Sequence, residues 1–151
     1  MEGLSNIFIN NTLFPLDRFF RGVYSANEIS SIMLKPQESI IVNLSYSFEP
    51  GTHFIAFYRK ENSLIYFDSL CMYFLDSNLK AFILKHNLKF EYNKLPIQHI
   101  KSSFCGYYCI FFILYIKYNS IINYVSIFFT TNKLLLFNDY LVLKYISTMI
   151  K

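Results

Sequence analysis

A chain of 151 residues has room for one domain with a core of its own, and a single domain over 1–151 is expected. At 54% hydrophobic and 20% aromatic residues it lies far from a disordered composition. The net charge of +4 comes from lysines spread singly, which fits a solvated basic face better than a dedicated nucleic-acid tract and leaves contact with nucleic acid open.

Asn11 to Ser31 mixes short apolar stretches with Pro15, Gly22 and polar residues, a pattern that predicts an irregular wrapping segment with one short helix at most. Ser39 to Leu44 is a β-branched run and predicts a strand, followed by a loop from Ser45 to Gly51 with the turn pair Pro50-Gly51. His53 to Tyr58 and Ser63 to Phe67, parted by Arg59-Lys-Glu-Asn62, carry the signature of a hairpin. Ser77 to Leu88 sets Leu79, Phe82, Ile83 and His86 at helical spacing behind a cap at Asp76-Ser77. His86 then falls in the last turn, where a charged imidazole would favour the helix dipole.

Lys89 to Tyr92 alternates as a short strand, and a polar loop from Leu95 to Ser103 leads to an apolar helix from Cys105 towards Tyr118. Its apolar run from Cys105 to Ile116 reaches Lys117 after about 12 residues, whereas a membrane span needs roughly 20, so a buried helix and no membrane contact are expected. Ser120 to Lys151 predicts two helices broken by Thr130-Thr-Asn132. The N-terminus lacks a basic region and a clear cleavage site, so no secretion signal is expected. Three widely spaced cysteines, Cys71, Cys105 and Cys109, do not make a disulfide framework and suit a reducing, intracellular compartment.

The chemistry concentrates around Cys105. A cysteine at a helix N-terminus with an imidazolium beside it has its thiolate stabilised and becomes a good nucleophile. His53 opens one strand of the hairpin and Asp68 closes the other, so pairing brings imidazole and carboxylate to one edge of the sheet. Gln98 stands seven residues before Cys105 and can offer an amide N–H to a developing oxyanion, beside the backbone N–H of the cysteine. His99 competes poorly as the base, because it would have to fold back within its own loop. Cys109, one helical turn after Cys105, reads as a small buried hydrophobe, and Cys71 as a packing residue. The cysteine and histidine spacing does not suit zinc, four glycines form no phosphate loop, and no cofactor is required.

Phe20 to Tyr24, Ile40 to Asn43, Gly51 to Phe57, Leu64 to Asp68, and Gln98 to Cys105 followed by Gly-Tyr-Tyr-Cys-Ile-Phe-Phe112 together resemble, in order and spacing, the adenovirus endopeptidase family, the adenains. The resemblance covers Phe20 to Tyr118 and implies an α+β, papain-like cysteine protease fold: a small mixed β-sheet packed by helices, with the nucleophile at a helix N-terminus. It implies His53 as base, Asp68 as acidic member, Cys105 as nucleophile and Gln98 in the oxyanion hole. The implied substrates are viral capsid or core precursor proteins, cut during particle maturation by a monomeric enzyme in the virion or in the host nucleus or cytoplasm. Similar enzymes occur in adintoviruses and in Polinton or Maverick elements.

This chain departs from the pattern at several points. Phe54 stands where the family has tryptophan, and Asp68 where it has glutamate, a choice shared with SUMO-deconjugating proteases. No cysteine lies near Asn87, where the family anchors its activating peptide, and the part beyond the cysteine helix is short. Peptide or DNA activation is therefore not supported. Two other readings stay open: an isopeptidase that removes ubiquitin-like modifiers, and a non-catalytic virion module on the same fold that binds protein tails or DNA.

Overall fold

The computed structural model describes residues 3–44, 53–72 and 76–151. The expected loop from Ser45 to Gly51 and Thr52 of the histidine motif lie outside them. Five strands form one mixed sheet in the order of the sequence: β1 (Phe20–Ser25), β2 (Ser39–Asn43), β3 (Phe54–Arg59), β4 (Ser63–Phe67) and β5 (Lys89–Tyr92). The outer pairs β1–β2 and β4–β5 are parallel, whereas β2–β3 and the β3–β4 hairpin are antiparallel.

The three central strands are apolar through their middles because the sheet is covered on both faces. Their period-two alternation sorts the side chains. Phe54, Ala56 and Tyr58 face one core with Ile65 and Phe67, while Ile55 and Phe57 face a second with Leu64 and Tyr66. α3 (Cys105–Ile116) lies across the first face and is buried almost all round, which accounts for its continuous apolar sequence. Phe112 stacks on Phe67 at 4.7 Å, and Tyr124 meets Phe67 edge-on at 5.1 Å. Removing a buried ring of this size typically costs about 3–5 kcal/mol. α4 (Ile121–Ser126) and α5 (Phe137–Met149) complete this layer, with a 3-10 turn at Asn132–Leu134 between them.

α2 (Ser77–His86) covers the second face. The Asp76 carboxylate accepts the Leu79 N–H at 2.8 Å, and Asn87 ends the helix in the left-handed conformation at φ 47°.

The N-terminal third is more regular than its sequence predicts. α1 (Asn6–Leu13) starts at a Ser5 cap and drives Ile9 and Leu13 into the core, and β1 and a 3-10 turn at Ala26–Ser31 follow. Phe-Arg-Gly-Val-Tyr-Ser is a weak strand by itself. It is recruited by parallel pairing with β2 and by the Asn10 side chain, whose Oδ1 accepts the Val23 N–H at 3.0 Å. The register shifts at Gly22, whose φ of 121° only glycine adopts freely.

Candidate active site

β3 begins one residue after His53 and β4 ends one residue before Asp68, so the hairpin delivers both side chains to the same sheet edge. His53 Nε2–H donates to Asp68 Oδ1 at 2.7 Å, and both residues are buried. With Nε2 so engaged, Nδ1 is the ring atom that remains for Cys105, which lines the same cavity as His53. Burial opposes a charge on this ring. Hydrogen bonding and electrostatic interaction with Asp68, and with Cys105, outweigh it and raise His53 from 6.5 to about 9.

Asp68 is held firmly. Its Oδ1 also accepts the Leu70 N–H at 2.9 Å, and Oδ2 accepts the Met72 N–H at 3.0 Å. Asn93, which the sequence did not single out, grips the same backbone. Its Oδ1 accepts the Asp68 N–H at 3.0 Å, and its Nδ2 donates to the carbonyls of Asp68 at 2.7 Å and Leu95 at 3.1 Å. A carboxylate with this many donors is a fixed anion aimed at the imidazole.

Cys105 is the first residue of α3. Phe104 before it supplies no side-chain acceptor to the first-turn amides, so these donors face the space beyond the helix end. There lies a cavity of about 480 Å³ lined by His53, Gln98 and Cys105, with Leu4, Leu70 and Ile100 among its apolar walls. Gln98 is almost wholly buried, and its Nε2 donates to the Ser102 carbonyl at 2.8 Å while its Oε1 accepts from Ser69 Oγ at 2.6 Å. The preceding residue is fixed from the opposite side by Asn138 of α5, which donates to the Ile97 carbonyl at 2.7 Å.

Of the four expected site residues, His53, Gln98 and Cys105 line one cleft, and Asp68 is buried behind them against His53. The remaining candidates do not join them. His99 turns Nδ1 to the Lys101 N–H, Cys71 points to the Asn93 carbonyl, and fully buried Cys109 points to the Phe54 carbonyl. His86 lies in the last turn of α2, but not as a charged partner of the dipole. Its Nδ1–H donates to the Phe82 carbonyl and its Nε2 accepts the Leu34 N–H at 3.0 Å, a bond that requires neutral imidazole. Burial lowers its pKa; the Phe82 bond opposes this, and Lys85 and Arg59 add to it.

The sequence also gave no sign of Leu4, which forms part of the cleft wall from the N-terminal segment. A Cβ on Gly106 would stand 3.1 Å from that of Leu4, so a glycine after the cysteine lets this segment pack against the helix start. Among the described residues, no group of three or more His, Cys, Asp or Glu side chains is placed to hold a metal ion, and no helix is long and apolar enough to cross a membrane.

No protein-family model matches the sequence, and no curated protein matches it. Among solved structures, the ASFV pS273R protease shares the fold with a TM-score of 0.57 and 14% identity, over 93% of this chain and 68% of that one. SUMO protease Ulp1, with its catalytic cysteine oxidised to a sulfinic acid, aligns with a TM-score of 0.47 and 11% identity, over 99% of this chain and 80% of that one. The mixed sheet with its flanking helices is thus an α+β fold of the kind seen in the pS273R protease.

Proposed function

We propose that the protein is a cysteine endopeptidase, with Cys105 as nucleophile, His53 as general base and acid, Asp68 as the group that orients and charges the imidazole, and Gln98 as an oxyanion donor. The observation that carries this reading is a buried imidazole bonded to a carboxylate and lining the same cleft as the Cys105 thiol, with Gln98 on its wall. Asp68 holds the proton on Nε2, which turns Nδ1 towards sulfur. With His53 raised to about 9, the ring holds a second proton at neutral pH and provides the positive partner that a thiolate needs.

Attack by the Cys105 sulfur on a peptide carbonyl forms a C–S bond and places negative charge on oxygen. That charge is met by the Cys105 N–H and the second N–H of Gln98; one such donor is typically worth about 100- to 1,000-fold in rate. The imidazolium then passes its proton to the departing amine, leaving an acyl-enzyme. Neutral His53 takes a proton from water, whose oxygen attacks the thioester; collapse breaks the C–S bond, releases the acid and restores the thiolate beside the imidazolium.

The substrates we propose are capsid or core precursors of a virus or virus-like element. The sequence resemblance to the adenains supports this, and so does a fold shared with a protease from a virus. The competing substrate class is a ubiquitin-like modifier, which the aspartate at position 68 also suits.

The test is purified protein incubated with glycine-containing capsid peptides and, in parallel, with ubiquitin and SUMO aminomethylcoumarin conjugates. Peptide cleavage abolished by Cys105→Ala, in a variant that still unfolds cooperatively, is the expected outcome. Release of aminomethylcoumarin alone would transfer the site to isopeptidase chemistry, and cleavage that survives Cys105→Ala would end the assignment.

A further inference from the structure

Ser69 follows Asp68 directly, is fully buried, and is joined to the Gln98 loop in three ways. Its carbonyl accepts the N–H groups of Ile97 at 2.9 Å and Gln98 at 3.0 Å, and its hydroxyl meets the Gln98 side chain. The Ser102 carbonyl can only accept, so the amide nitrogen of Gln98 must face it. Oε1 consequently faces Ser69, whose hydroxyl must donate. With both ends engaged the amide plane is locked, and Gln98 lines the cavity it shares with Cys105.

We infer that Ser69 is a positioning residue: it fixes the Gln98 amide for oxyanion binding and joins the acid arm of the site to its oxyanion arm. The inference rests on the endopeptidase reading above. Without the hydroxyl, Oε1 loses its donor and the amide can rotate about its last side-chain bond, so the donor spends less time aimed at the transition state. Ground-state binding does not use that donor, and the loss should fall on kcat.

Ser69→Ala keeps both backbone bonds to the Ile97–Gln98 loop, so the fold should persist. With a peptide that the wild type cleaves, kcat should fall about 10- to 100-fold, a fraction of the loss of the whole donor, while KM stays within about 2-fold. Ser69→Thr, which keeps the hydroxyl, should recover most of the rate. In a Gln98→Ala background the same Ser69→Ala change should cost less than about 2-fold, because there is no amide left to orient. Equal losses in both backgrounds, or a loss confined to KM, would overturn the role.

A second readout needs no turnover. In nitrogen-15 spectra the Gln98 side-chain amide protons should be protected from solvent exchange in the wild type and lose that protection in Ser69→Ala. Unchanged protection would overturn the inference. A wild type that cleaves nothing would defeat the endopeptidase reading instead, with the amide spectra still deciding whether Ser69 locks Gln98.

Discussion

His53 and His86 are equally buried, each about 7% exposed, yet the fold drives them to opposite charge states. The difference lies in their partners. His53 donates to a carboxylate and shares its cavity with a thiol, whereas His86 meets a carbonyl and a backbone N–H beside Lys85 and Arg59. Burial penalises the imidazolium in both places; only at His53 is an anion near enough to reverse the sign. One histidine is thereby held towards its charged form, and the other serves as a neutral clasp between α2 and the segment before β2.

The largest effect expected from breaking this comparison is on turnover. His53→Gln should lower kcat/KM by about 10,000-fold, the upper range for loss of a general base, while His86→Gln should change it by less than about 3-fold. Peptide hydrolysis by the two purified variants measures the ratio, and comparable losses would mean that the site had been assigned to the wrong region.

A smaller fall tests the charge of the partner alone. In Asp68→Asn one acceptor oxygen becomes an amide NH2, and the anion that holds the imidazolium is gone. A drop of order 100-fold in kcat is expected, with the His53 ring titrating lower by NMR. An unmoved titration would show that Asp68 is not the source of the charge.

The same contrast should appear in stability against pH. His53 is raised from 6.5 to about 9 by folding, so its contribution is complete below pH 6.5 and is lost as pH rises through about 9, a span worth about 3 kcal/mol. His86 is lowered from 6.5, so its contribution is present above pH 6.5 and fades as pH falls through its depressed value. Urea denaturation of the wild type and both variants across pH 5–10 checks the signs. His53→Gln should flatten the alkaline limb and His86→Gln the acid limb, and the reverse pattern would refute the electrostatic account.

Much of the fold was legible where local pattern and global position agree. The apolar runs of β2, β3 and β4 and the apolar helix behind Cys105 were plain because each is buried on more than one side. The Asp76 cap announced α2. β1 was not legible, since Arg21 and Gly22 dilute its pattern and pairing with β2 supplies what its own residues lack. At the proposed site, Cys105, His53, Asp68 and Gln98 were singled out by residue type and order. Ser69, Asn93, Asn138 and Leu4 were not, because a serine, two asparagines and a leucine carry no signal until their distant partners are known.

By itself the sequence determined which segments had to be covered and which thiol would stand at a helix start, since both follow from side-chain periodicity along a local element. The charge on each histidine, the grip on Asp68 and the plane of the Gln98 amide were decided only when the chain closed. Each depends on groups brought in from elsewhere: Asp68 lies 15 residues from His53, Leu34 lies 52 from His86, and Ser69 lies 29 from Gln98. Hydrogen bonds and desolvation act over a few ångströms of space, whatever the separation along the chain.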